Sequence, residues 1–307
     1  MSNLEFYLDN NGFEYLKSSK NALGIFFPVQ FDEQVITDLK GEGGKVVQRL
    51  DGIYYPSKHY GKYFELNKML KKIYLEFADY VVFQSDYSRE QCFAMLGIKD
   101  ASEYSIIHNG VNKNMFFPDF SNIPGGMIKF ITTGNFRNID MIEPVVKALD
   151  ILNKKVQLEL HIIGPVVTES ILSLFKRDYI IMHGSKKLPE VADILKKSHI
   201  FIYSHLNPPC PNSVLEAIST GLPIVGFDSG AMSELCWFSK DLLAFVSDDI
   251  FQKYEDFNTE SLADKIELSI REYNYYRQLA LQYYNLYSFD ECGKKYIEVF
   301  DKIFNEK

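Results

Sequence analysis

The run from His205 to Glu234, HLNPPCPNSVLEAISTGLPIVGFDSGAMSE, holds the residue types needed to grip a phosphorylated, hydroxyl-rich ligand. An apolar run, IFIYS, ends at Ser204 and reads as a buried strand, and Pro208, Pro209 and Pro211 then mark a loop. Asn212 or Ser213 is positioned to cap a helix that begins there. The first amides of that helix, at Asn212, Ser213 and Val214, would lack intrahelical partners and would add to the positive end of the dipole. That combination binds phosphate. Glu216 lies one turn further, where its carboxylate can accept two hydrogen bonds from a ribose diol. Thr220-Gly221-Leu222-Pro223 closes the helix and opens the next strand, IVGF. The small-residue loop Asp228-Ser229-Gly230-Ala231 follows, and Gly230 would let a sugar approach the backbone.

A second set of candidates sits upstream. The loop Gly134-Asn135-Phe136-Arg137-Asn138-Ile139-Asp140 follows the strand candidate Ile128–Thr133 and carries Gly134 and Arg137, the latter reading as a surface charge or as a cation for a bound donor. In VVQRLDG, Arg49 and Asp51 end an apolar run at a strand edge. They can serve an acceptor or simply pair with each other. His108-Asn109-Gly110 reads as a strand-end turn. Gly41 to Lys45, GEGGK, lacks phosphate-loop spacing and precedes a strand, so it reads as a turn. Asp248 and Asp249 stand alone on a loop, so no metal site is expected.

These residues need elements to hold them. Short β-branched and aromatic runs alternate with helical patterns along the chain, the mark of a parallel α/β sheet. Strand candidates are 23–28, 45–50, 80–84 and 105–108, then 128–133, 157–164, 179–183, 199–203, 222–227 and 243–246. In Lys62–Phe77, Leu66, Met69, Leu70, Ile73 and Phe77 recur at helical spacing. Pro118 to Gly126 reads as a linker. The fold class is therefore α/β with two Rossmann-like lobes: a reduced N-terminal, acceptor-side lobe over 1–120 and a donor-binding lobe over 121–285. The tail, 286–307, forms a helix that would pack back across them.

Composition excludes several classes. The chain has 307 residues, enough for two cores, and a net charge of −8, which argues against nucleic acid as a partner. No apolar run is long enough to span a membrane, and the acidic start MSNLEFYLDNNGFEYL lacks a secretory pattern. Cys92, Cys210, Cys236 and Cys292 form no CxxC pair, which fits reduced thiols in a cytoplasmic setting. The stretch Tyr54 to Lys72 mixes lysines with aromatics; it reads as an amphipathic helix packed on the sheet, or alternatively as a peripheral membrane or acceptor patch.

The segment PNSVLEAISTGLPIVGFDSGAMSEL resembles the donor-site helix, turn and strand of family-4 retaining glycosyltransferases of the GT-B fold. FITTGNFR, LELHIIGP, ADYVVFQSDYSREQ, HNGV and the tail FDECGKKYIEVFDKIF extend the resemblance. It implies that Glu216 binds the donor ribose, that the amides of Asn212 to Val214 hold the diphosphate, and that anomeric configuration is retained. The donor would be a nucleoside-diphosphate sugar, UDP- or GDP-linked, and the acceptor a glycan, lipid-linked or small-molecule hydroxyl. The sequence departs from the family in three places. Pro208 stands where a first glutamate is usual, Asp140 where a lysine is usual, and no glycine-rich acceptor loop is recognisable. These departures leave two alternatives: a nucleotide-sugar-binding subunit that acts with a partner chain or as a homo-oligomer, and another enzyme of the fold, such as an epimerase or a phosphorylase.

Overall fold

The computed structural model describes residues 2–13, 22–28, 32–98 and 103–305. The chain divides into two compact units, one of residues 1–110 with 289–307 and the other of residues 111–288. The segment 118–126, read from sequence as a linker, lies inside the second unit, where Asn122 donates to the carbonyls of Lys196 and Ser198 at 2.9 and 2.8 Å.

In the first unit, helix α1 (Ser2–Asp9) precedes four strands, β1 (Gly24–Pro28), β2 (Lys45–Leu50), β3 (Tyr80–Phe83) and β4 (Tyr104–Ile106). All pair in parallel, in the order β1-β2-β3-β4. Helices α2 (Glu33–Gly41), α3 (Pro56–His59), α4 (Tyr63–Glu76) and α5 (Asp86–Leu96) form the crossovers. Helix α5 opens on a capping box. Ser85 and Ser88 exchange side chain-to-amide bonds at 2.9 and 3.0 Å, and Gly97 ends the helix in the left-handed region. One face of the sheet, through Val47, Val82 and Ile107, packs on Tyr296, Val299, Phe300 and Ile303 of the C-terminal helix, Phe289–Asn305. The chain thus returns to its first unit to complete that core.

In the second unit the strands are β5 (Ile128–Thr133), β6 (Leu158–Ile163), β7 (Ile180–Gly184), β8 (Ile200–Tyr203), β9 (Ile224–Phe227) and β10 (Leu243–Ala244). The helices are α6 (Glu143–Leu152), α7 (Glu169–Leu174), α8 (Leu188–Lys196), α9 (Asn212–Ser219), α10 (Met232–Leu235), α11 (Thr259–Arg271) and α12 (Tyr273–Tyr283). The six strands are parallel in the order β7-β6-β5-β8-β9-β10. Strands β8 and β9 are buried at every position, which explains why they read as unbroken apolar runs rather than alternating ones. The face carrying Phe130, Leu160, Ile162, Ile202 and Phe227 packs on α6 and α11 through Val145, Leu149, Leu262 and Ile266. Each such side chain contributes about 1.5–3 kcal/mol by leaving water.

Arg277 of α12 is buried and donates to the carbonyls of Thr220, Gly221 and Asp119. It thereby satisfies the turn that ends α9. All ten strands expected from the sequence are present, with ends moved by one or two residues; β10 is the shortest, at two residues.

Candidate functional site

Strand order marks a candidate site in the second unit. The sheet grows from β5 to β6 and β7 on one side, then crosses back to β8 and continues the other way. The loops leaving β5 and β8 therefore turn in opposite directions and open a crevice at the carboxyl ends of those two strands, the place where parallel sheets bind ligands.

The loop after β5 is pinned and exposed in alternation. Gly134 donates its amide to Ile163 O at 3.0 Å, and Phe136 donates to Pro165 O at 3.1 Å. Phe136 is fully buried, while Asn135 and Arg137 on either side are exposed, as extended backbone requires. Arg137 makes no ion pair or hydrogen bond with the described residues, so its guanidinium is available to a ligand. Asp140 is held by Asn138, which donates to it at 2.8 Å.

The loop after β8 is braced against its neighbours. The Ser204 hydroxyl donates to the Met141 carbonyl, tying the β8 end to the β5 loop across the crevice. The His205 ring lies against the backbone of Gly134, where a Cβ would come within 2.5 Å of it, and meets Phe136 edge-on. Asn207 takes the left-handed conformation (φ 51°) that asparagine tolerates better than most residues. Its side chain donates to Gln252 O at 2.9 Å and accepts from Gln252 N at 3.2 Å, and its amide donates to Ser229 Oγ at 2.9 Å.

Helix α9 then begins. Pro211, not Asn212 or Ser213, is the cap residue, and no side chain caps the helix. The Val214 amide, expected to be open, donates to Pro211 O at 3.1 Å because the first turn is tight. Asn212, Ser213 and Glu216 share the least buried side of a helix whose Val214, Leu215, Ala217 and Ile218 are fully buried. The Glu216 carboxyl has no hydrogen-bond or ionic partner among the described residues. Burial alone raises its pKa to about 7, since nothing nearby compensates the lost hydration of the charged form. A half-buried carboxyl left without a partner on this helix face is placed to receive hydroxyl donors.

Gly230 takes φ 62°, and a Cβ there would meet Pro208 at 2.5 Å, so the β9 and β8 loops approach through it. The Ala231 amide donates to Pro208 O at 2.9 Å beside it. The space above both Gly134 and Gly230 is thus taken by another loop of the same unit.

Residues 128–267 match the family model described as glycosyl transferases group 1, which spans β5 through most of α11. The second unit carries a glycosyltransferase domain. No curated protein matches the chain. Among solved structures, sucrose-phosphate synthase from Thermosynechococcus elongatus superposes with a TM-score of 0.73 at 15% identity, over 92% of this chain and 74% of that one. HepE of Anabaena, in complex with UDP and glucose, gives 0.71 at 14% identity over 93% and 80%. A glycosyltransferase from Rickettsia africae gives 0.67 at 16% identity over 100% and 82%. At these identities the likeness establishes the fold, that of the GT-B class.

In the glycosyltransferase domain, then, Gly134, Arg137, Asn212, Ser213, Val214, Glu216 and Gly230 all lie on the loops and helix that leave the carboxyl ends of β5, β8 and β9. Asp51 does not join them; it lies in the first unit, just past β2. Its Oδ1 is 2.8 Å from Arg49 Nε, an ionic contact without hydrogen-bond alignment, and Arg49 in turn donates to Asn109 Oδ1. Burial raises the Asp51 pKa, opposed by Arg49 and a hydrogen bond from Gln84.

Sequence reading missed the braces Ser204, His205, Asn207 and Gln252. Only Asn207 left a signal, as an asparagine directly before a proline in a loop.

Proposed function

We propose that the protein transfers a sugar from a nucleoside-diphosphate donor, UDP- or GDP-linked, to an acceptor hydroxyl, with retention of anomeric configuration as in the family-4 enzymes it resembles. The observation that supports this most is Glu216, a carboxyl without a partner among the described residues, on the least buried side of the helix that follows the switch-point strand β8. Its carboxylate would accept the two ribose hydroxyls. The diphosphate would lie against the first turn of α9, with Arg137 supplying the cation. As the glycosidic bond breaks, charge grows on the departing diphosphate, and the positive end of α9 and Arg137 are the groups that would stabilise it. The remaining rate advantage comes from holding donor and acceptor together. HepE, which shares the fold, was captured with UDP and glucose, in keeping with a donor of this class.

A second reading is favoured by one feature. The site supplies a single unpaired arginine, with Asp140 where a second cation would help, so donor binding in concert with a partner chain fits the weaker grip. A chain of the GtfA/B complex is a further structural relative, at 14% identity.

The test is calorimetric titration with UDP, GDP and their 2′,3′-dideoxy analogues. Charge-assisted hydrogen bonds of ~1.5–3 kcal/mol make Glu216→Ala weaken one nucleoside diphosphate by roughly ten- to a hundredfold. The loss should shrink for the dideoxy form, which offers the carboxylate nothing. Unchanged affinity in a folded variant would remove Glu216 from the site.

A further inference from the structure

Away from that crevice, the outer strands β6 and β7 bring two imidazoles together. His161 Nδ1 lies 2.9 Å from His183 Nε2, with the rings nearly parallel at 13° and their centroids 5.2 Å apart. The register explains the meeting. His161 pairs with Ile181 and Ile162 with Met182, but Ile163 pairs with Gly184, so the ladder slips by one residue and His183 is the extra one. Such a bulge re-aims a side chain. Behind the pair, Glu159 Oε2 stands 3.3 Å from His161 Nε2 and fixes the proton there, leaving the Nδ1 lone pair turned to His183.

We propose that His161 and His183 form a two-imidazole site for a divalent copper or nickel ion, oriented by Glu159. Once the hydrogen bond between them opens and the rings turn, nitrogens 2.9 Å apart can both reach an ion at about 2.0–2.1 Å, and they then subtend roughly a right angle at it, the cis angle of tetragonal Cu(II) and Ni(II) rather than the wider angle of tetrahedral zinc. Binding needs neutral rings. Lys129 lies near His161 and Lys186 near His183. Lys186 is itself paired with Glu190 at 3.3 Å, which limits its repulsion of an incoming cation. On binding, the His183 proton moves from Nε2 to Nδ1, so no net proton is lost. Among the described residues no group of three His, Cys, Asp or Glu side chains is placed to hold an ion, so water completes the coordination.

The experiment is a Cu(II) titration of metal-stripped, tag-free protein, followed by calorimetry and electron paramagnetic resonance. One tight equivalent with two nitrogen ligands is expected, with Ni(II) weaker and Zn(II) weaker still. Both His161→Gln and His183→Gln should abolish that equivalent while keeping the far-ultraviolet dichroism of the parent. Glu159→Gln should weaken it by about 10–100-fold. A His183→Gln protein that binds Cu(II) as the parent does would overturn the proposal, as would a parent spectrum without two nitrogens. The parent spectrum decides the matter even if a variant fails to fold.

Discussion

The two units are built from the same parts and differ in how those parts are ordered. In the first, the four described strands add one after another in a single direction. Each crossover lands beside the last, and the loops at the carboxyl ends lean the same way. In the second, the sheet starts in the middle, grows outward to β7 and then reverses through β8. The reversal parts the loops and leaves Arg137, the start of α9 and Glu216 around one opening. The polar groups follow suit. At the end of β2, Arg49 and Asp51 answer each other, whereas Glu216 has no partner among the described residues. A strand end whose charges answer each other is set up for stability or for a neutral acceptor, and a carboxyl left unmatched is set up for a ligand.

The sharpest way to break this comparison is through glycine. Gly164 ends β6 at φ 132°, and a Cβ there would lie 1.7 Å from the Gly134 carbonyl, at the base of the opening. Gly164→Ala should cost about 3 kcal/mol or more, from overpacking and left-handed strain together, and should take nucleotide affinity with it. Gly61 of the first unit meets nothing within 4 Å and has ordinary φ, so Gly61→Ala should stay within about 0.5 kcal/mol. Denaturant midpoints of the two variants check this. Comparable losses would mean that the switch point is no more constrained than a surface turn.

Asp51→Asn separates the units by function. If the first unit holds the acceptor, transfer should fall by about tenfold or more while nucleotide affinity stays within about twofold. Equal loss of both would make the Arg49–Asp51 pair purely structural.

A smaller effect comes from pH. Ribose hydroxyls are accepted best by the ionised Glu216, whose pKa is about 7 in the free protein. Nucleotide-sugar affinity should therefore rise by up to about tenfold between pH 6 and pH 8, and Glu216→Gln should flatten the profile. The stability of the free protein should run the other way. The folded pKa lies above the usual 4.5, so stability falls as pH rises from about 4.5 to about 7 and is level beyond. The smallest effect concerns metal. If amides and one arginine hold the diphosphate, EDTA should leave nucleotide affinity unchanged, even where it strips an ion from His161 and His183.

The ten strands were legible because buried parallel strands are short apolar runs set off by turn residues, as IFIYS and PIVGF are. The helix that carries Glu216 was legible because its signals are local: proline loop, helix start and the apolar face after it follow one another in sequence. What stayed hidden is non-local. Strand order depends on which run pairs with which, and no single segment encodes it. Arg277 reaches carbonyls at Gly221 and Asp119, far away in the chain, and in sequence it is one more charge on a helix. His161 and His183 meet only because β7 slips its register. The helix start misled in a smaller way: Asn212 and Ser213 are good caps by type, but Pro211 already fixes the chain entering the helix.

Backbone hydrogen–deuterium exchange of the full chain, with and without a saturating nucleoside diphosphate, tests the central contrast most directly. The account predicts protection in 134–140, 205–216 and 228–231, with the ends of β2, β3 and β4 unaltered. Protection that appeared at 49–52, 84–85 and 108–110 instead would place the nucleotide on the first unit and contradict it.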